Sequence, residues 1–286
     1  MKILFETLML LSVISLMGCG DGAAPKAAAA HESGTDALTG KLVLTGSSTV
    51  APLAAELGQK FEKLHPNVRI DVQSGGSSRG IADARSGVAD IGEVSRSLKD
   101  DEKDLKPFVI ALDGVCVILN KDNPVKELSD KQVIDIYTGK IVNWKEAGGK
   151  DAPITVVNKA EGRSTLELFC NYYKLKNSDI KAQLVIGDNQ QGIKTVSGNP
   201  NSIGYVSIGT AEFEASQGAP IKLLAVGGVE ASLANVKAHK FALMRELNLV
   251  TKNEEPTGLK KAFLDFCTSK EANDMIKEQF FVPIKE

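Results

Sequence analysis

Three short segments of this chain carry the same chemistry: Thr45-Gly46-Ser47-Ser48-Thr49, Gly75-Gly76-Ser77-Ser78-Arg79-Gly80 and Gly162-Arg163-Ser164-Thr165. Each follows a stretch that reads as a β-strand and precedes one that reads as a helix. A helix N-terminus leaves backbone N–H groups unpaired and carries partial positive charge, which suits an anion. Glycine lets the backbone approach a ligand closely, and Ser/Thr hydroxyls add donors that rotate to fit it. A single segment of this kind is ordinarily a helix cap. Three in one chain, two of them with an arginine, predict one oxyanion held from several sides.

The elements that must position these loops follow from periodicity. Lys41–Leu44 reads as a strand, and Leu53, Leu57, Phe61 and Leu64 recur at helical spacing until His65-Pro66 ends the helix. Val68–Val72 is a second strand into the second loop, a short helix passes through Ile81 and Ala84, and Ala89–Val94 is a third strand ending at Ser95-Arg96. This β-α-β-α-β order predicts a parallel sheet with ligands beyond the carboxyl ends of its strands. The apolar run Phe108–Leu119 reads as a segment crossing between domains, and Ser129 to Gln132 as a capping box opening a helix through Ile136. Ile154–Val157 is the strand that feeds the third loop, with Lys159 just upstream of it. Leu166, Phe169, Tyr172 and Tyr173 then mark one apolar helix face. Ile203–Val206 and Phe241–Thr251 read as strands and Leu259 to Phe280 as helical segments. Two α/β units in series predict a two-lobed cleft.

The beginning of the chain predicts a compartment. A basic start at Lys2 and an apolar stretch from Leu8 to Met17, too short to span a bilayer comfortably, read as a signal-peptide core. It runs into Leu16-Met17-Gly18-Cys19, which looks like a bacterial lipobox with Cys19 as the lipidated residue; the bland reading is an ordinary signal peptide with an incidental cysteine. Residues 1–18 are then a leader and residues 19–40 a flexible tether poor in bulky apolar side chains. The formal net charge is −2, and no basic stripe with interleaved aromatics occurs, which argues against nucleic acid as a partner. Cys116, Cys170 and Cys267 lie in apolar contexts and are expected to be buried free thiols, and the three histidines show no ligand spacing for a metal.

These loops, with Thr45 to Leu53 and Ala89-Asp90-Ile91-Gly92, resemble the periplasmic phosphate-binding proteins of ABC transporters. So do Asn120-Lys121-Asp122-Asn123-Pro124, Ile136 to Trp144 and Ile203-Gly204-Tyr205-Val206, and the likeness runs from about Leu42 to Pro283. The resemblance implies an α/β, type II periplasmic-binding-protein fold with a central sheet in each lobe and a hinge of crossover strands. Residues 41–111 and 241–286 would form lobe 1 and residues 112–240 lobe 2. It implies a monomeric, lipid-anchored receptor at the extracytoplasmic face of the cell envelope. That receptor would capture inorganic phosphate and deliver it to an ABC permease, with no enzymatic activity and no cofactor.

Carried over position by position, Ser48, Thr49 and the Val50 backbone would meet the ion from the first loop and Ser77 from the second. Gly162, Arg163, Ser164 and Thr165 would do so from the third, with Ser95, Arg96 and Lys159 beside them. Two departures bear on selectivity. Ser95 stands where many members carry the aspartate that accepts the proton of hydrogen phosphate. The third loop has Arg163 where Gly-Ser-Gly-Thr is usual, and Lys159 replaces an upstream arginine. Sulfate offers no proton, so an acceptor-only carboxylate favours hydrogen phosphate over it. Glu93 and Glu161 are the candidates for that acceptor. A receptor for sulfate or another tetrahedral oxyanion, and a sensing or surface lipoprotein without transport, are the alternative readings. A serine hydrolase is disfavoured because no histidine or lysine partner stands near Ser48 or Ser77. Tyr137 and Trp144 are expected to pack in the second lobe, and Lys99 to Asp104 to form a solvated face.

Overall fold

The computed structural model describes residues 38–284. The leader, Cys19 and the tether up to residue 37 lie outside the described residues. Strand β1 (Gly40–Gly46), helix α1 (Val50–Leu64), β2 (Val68–Ser74), α2 (Ser77–Ser86) and β3 (Ile91–Val94) follow in the expected order. β1 pairs in parallel with both β2 and β3. Helix α1 buries Val50, Leu53, Ala54, Leu57 and Phe61, the face that three- and four-residue spacing predicts. β3 begins at Ile91 and not at Ala89, because Asp90 turns back and accepts the Val43 N–H at 2.8 Å.

Strand β4 (Leu105–Asn120) is sixteen residues long and organises everything else. Its first part pairs with β9 (Met244–Lys252), and β9 also pairs with β3. Its second part pairs with β7 (Ser202–Ser207) and with β8 (Ile221–Leu223). Beyond β7 lie β5 (Thr155–Lys159) and β6 (Leu184–Ile186), both in parallel. The short β10 (Val282–Pro283) pairs with β4. One strand path therefore runs β2-β1-β3-β9-β4-β7-β5-β6. The resemblance implies a central sheet in each lobe and crossover strands between them; β4 is such a strand, pairing with β9 in one half and with β7 and β8 in the other, so that the ladders join.

Two main apolar cores flank this shared strand. The first gathers α1 with α8 (Gly258–Cys267) and α9 (Ala272–Glu278), where Phe61 meets Phe263 edge-on at 5.3 Å. The second gathers α3 (Asp130–Tyr137), α4 (Ser164–Tyr173), α5 (Asn189–Gly198), α6 (Ile208–Ser216) and α7 (Leu233–Lys237) around β5 and β7. Phe169 stacks on Tyr205 with centroids 3.9 Å apart. Tyr137 and Trp144 are buried there as expected, the indole N–H donating to the Asn201 carbonyl. Ser129 caps α3 reciprocally with Gln132. Cys116, Cys170 and Cys267 are buried free thiols. Among the described residues no helix is long and apolar enough to cross a membrane.

Candidate functional site

All three loops join a strand to a helix, as the sequence predicts: β1 to α1, β2 to α2 and β5 to α4. The first two are tied together by backbone. The Gly46 carbonyl accepts the N–H groups of Gly75 and Gly76 at 2.7 and 2.6 Å. Gly46 sits at φ +140°, and a Cβ there would lie 2.3 Å from the Glu93 carbonyl, so only glycine fits. The third loop approaches from the other core. The Ser78 N–H donates to the Gly162 carbonyl at 3.2 Å, and a Cβ on Gly76 would meet that oxygen at 2.8 Å.

The residue that gathers these loops is Arg245, on β9 and 4% exposed. Its guanidinium donates to the hydroxyls of Thr49 at 3.1 Å, Thr165 at 3.0 Å and Ser95 at 3.3 Å. The Ser95 N–H in turn donates to Ser77 Oγ at 3.1 Å, which links the second loop to the same centre. Arg245 is held by Asp113 on β4, whose Oδ2 accepts two of its N–H groups at 3.0 and 2.8 Å. Asp113 and Arg245 stand opposite each other in the β4–β9 register. Because guanidinium has no acceptor, it occupies a lone pair on each hydroxyl. Each of those protons is then free to turn toward a ligand.

Sequence reasoning missed Arg245 and Asp113, although a signal was present. Asp113 is the only charge in the apolar run Phe108–Leu119, and Arg245 interrupts the apolar strand Phe241–Thr251. A charge in a strand buried on both faces needs a partner. Each is the other's. Asn189 was missed as well: it opens α5 and donates to Thr49 Oγ1 at 3.0 Å, while its own oxygen accepts from Lys159.

The predicted residues divide three ways. Thr49, Ser77, Ser95, Thr165 and Lys159 come together around Arg245, all at most 5% exposed. Ser164, Arg163 and Ser48 lie on the same loops with capacity unused. Ser164 Oγ is buried without a hydrogen-bond partner. Arg163, half-buried at the mouth of α4, has no ion-pair or hydrogen-bond partner for its side chain among the described residues. Gly162, at φ +77°, shapes the third loop.

Two of the residues do other work. The Val50 N–H turns to the Ser47 carbonyl and hydroxyl at 3.1 and 3.3 Å, so Ser47 caps α1 from inside. Arg96 donates to both oxygens of Glu102 at 2.7 and 2.8 Å and pairs with Glu167 on α4 at 3.1 Å. Bound to two carboxylates, it has no charge left to attract an anion. For the same reason Lys99 to Asp104 is not simply a solvated face: Glu102 is 6% exposed and clasps Arg96. Arg79 pairs with Asp83 on its own helix.

Electrostatics sharpen the picture. Lys159 Nζ donates to the Asp188 carbonyl at 2.6 Å and to Asn189 Oδ1 at 3.1 Å. Burial, aided by the charges of Arg245 and Arg163, lowers its pKa to about 7. Neither acceptor candidate joins the cluster. Glu161 is exposed and takes an N–H from Asn177. Glu93 is fully buried with both oxygens unpartnered, and burial pushes its carboxyl well above the usual range. Asp113 brings a carboxylate to the cluster with both oxygens engaged, Oδ2 by Arg245 and Oδ1 by the Gly209 N–H at 3.1 Å.

Comparison with known proteins agrees with this architecture. Residues 27–271 match the model of a PBP superfamily domain. The Bacillus subtilis phosphate-binding protein PstS is 30% identical over 292 aligned positions, spanning 100% of this chain and 95% of that protein. A Clostridium perfringens structure with bound phosphate, described as a phosphate ABC transporter substrate-binding protein, shares 36% identity and a TM-score of 0.79. That match covers 86% of this chain and 100% of the other. A Vibrio cholerae ABC-type phosphate transport receptor shares 29% identity and a TM-score of 0.69, covering 84% of this chain and 99% of its own. The chain belongs to the PBP superfamily and, within it, to the family of PstS phosphate-binding proteins.

Proposed function

We propose that this protein captures inorganic phosphate between its two lobes and hands it to an ABC permease, without chemical turnover. The observation that carries the reading is the Arg245 guanidinium, which draws hydroxyls from the first loop, the third loop and the end of β3 to one point. Ser48, Thr49, Ser77, Ser95, Gly162, Arg163, Ser164 and Thr165 would supply the shell, with Arg245 and Lys159 setting its charge. The unpartnered Ser164 hydroxyl and Arg163 guanidinium are the groups an arriving ion would satisfy. A buried hydroxyl left unpaired costs about 1–3 kcal/mol, which a ligand would recover. The names of the relatives support phosphate as the ion and an ABC transporter as the partner. Lobe 1 as residues 41–111 and 241–286, lobe 2 as 112–240, a lipid anchor at Cys19 and a monomer at the extracytoplasmic face complete the proposal.

Sulfate is the second reading, favoured by one observation: Asp113, which among the described residues is the carboxylate bonded to Arg245, has both oxygens engaged. Titration calorimetry of the ligand-free, folded protein with phosphate, arsenate, sulfate and molybdate separates the two. Phosphate binding with one ion per chain and much weaker sulfate binding is expected. Tight sulfate and weak phosphate would hand the site to the second reading, and heat from neither would end both.

A further inference from the structure

We propose that Lys159 is the proton-linked residue of this site: above neutral pH it is uncharged in the anion-free protein and takes up one proton as the anion enters. The inference rests on the oxyanion-binding reading above. Lys159 stands at the end of β5, 2% exposed, and no carboxylate pairs with it; its hydrogen bonds go to the Asp188 carbonyl and the Asn189 side-chain oxygen. Two N–H groups satisfy those two acceptors. The third valence of the nitrogen has no partner among the described residues, so it is free to be a lone pair or an N–H.

The charged and titratable groups around it decide which. Burial disfavours an ammonium most; Asp188, whose carboxylate caps α5 through the Gln191 N–H, attracts it more than either Arg245 or Arg163 alone repels it, and the two arginines add to the burial. Tyr205, on the neighbouring β7, accepts the Lys159 backbone N–H and titrates far above neutrality. Asp113 already neutralises Arg245. A charged Lys159 would therefore leave one buried positive charge in excess, reached from Arg245 through Thr49 and Asn189. Burial of an uncompensated charge is costly, and the empty site relieves it by deprotonation, with a pKa of about 7. An anion between Arg163, Arg245 and Lys159 reverses the balance and returns the amine toward its usual range.

In balanced form, R–NH2 plus H⁺ gives R–NH3⁺. The proton comes from solvent, or from a dihydrogen phosphate ion that enters and remains as the dianion. Lysine thereby takes the proton that a dihydrogen ion carries in, and as an ammonium it then acts only as a donor to the dianion. The arginine that the resemblance places here would stay charged and could not do this.

The test compares the native chain with Lys159→Arg by calorimetry with inorganic phosphate from about pH 6 to about pH 9, so that the ion's own titration cancels. The ratio of their association constants is expected to change by about tenfold per pH unit above neutrality, the native chain weakening as pH rises. Parallel profiles overturn the proposal. Because the arginine variant is a larger residue in a closed site, a second readout uses the native chain alone, with 13Cε-labelled lysine. One lysine should titrate near neutrality without phosphate and remain charged at about pH 8.5 with it. No such lysine overturns the proposal too. Absence of phosphate binding at about pH 6 in the native chain would instead refute the binding reading itself.

Discussion

At the scale of single residues, the site is a set of donors brought to one place. Arg163 has no partner for its guanidinium and stands at the N-terminus of α4, where anions are also favoured by the helix. A charge-assisted hydrogen bond contributes about 1.5–3 kcal/mol, so Arg163→Met should weaken phosphate binding by roughly 10- to 100-fold in calorimetry, with the melting temperature of the free protein unchanged. Glu93 is the opposite case, a buried carboxyl with no partner and no part in the cluster. It shares a sheet face with the apolar Ile91. Its pKa is raised by burial, so the folded state keeps a proton that the unfolded chain releases above its ordinary value of 4.5. Stability is thus full below that value and is lost as pH rises, by about 1.4 kcal/mol per pH unit until the folded group ionises. Glu93→Met removes the titration, and its denaturant midpoint should exceed that of the native chain by a margin that grows from pH 5 toward neutrality.

At the scale of elements, contacts between the two cores close the cleft. Helix α4 is rooted in the second core by Leu166, Phe169 and Cys170, yet Glu167 on the same helix pairs with Arg96 at 3.1 Å and Lys99 at 2.8 Å, both following β3. Arg96 is buried, so this pair is less screened than a surface one, whereas the half-exposed Lys99 adds little. The Glu167 carboxylate pairs with Arg96, which has turned away from the site, and with Lys99, and with no other predicted shell residue among those described. Glu167→Gln should therefore act on closure: a several-fold faster phosphate release in stopped-flow, with a smaller change in association. An unchanged release rate would show that α4 is held by the Ser78–Gly162 contact and Arg245 alone.

At the scale of the whole molecule, much of the fold was legible because most elements carry a local signal. α1 announces itself by spacing and by His65-Pro66, α3 by its capping box, and β4 by an apolar run that only Asp113 interrupts between Phe108 and Leu119. α5 and β6 were not assigned, since β6 is three residues of half-exposed strand and α5 shows only Asp188 and Gln191 as a cap. The site was legible where glycine and hydroxyls cluster in one loop. It was not where function depends on register: nothing local says that Asp113 and Arg245, 132 residues apart, stand opposite each other. Nor does a lone arginine in the sequence reveal that Arg96 will be claimed by Glu102 and Glu167. Motif order places the loops, and the pairing of β4 with β9 places the charge.

The most direct test is a crystal structure of the protein grown with phosphate in place of other tetrahedral anions. One phosphate should lie in hydrogen-bond reach, about 2.6–3.2 Å, of the Ser164 hydroxyl, the Arg163 guanidinium and hydroxyls of the first loop, with Arg245 still bound to Asp113. An ion seated away from these loops, or a cleft left empty while the same protein binds phosphate in solution, would contradict the account.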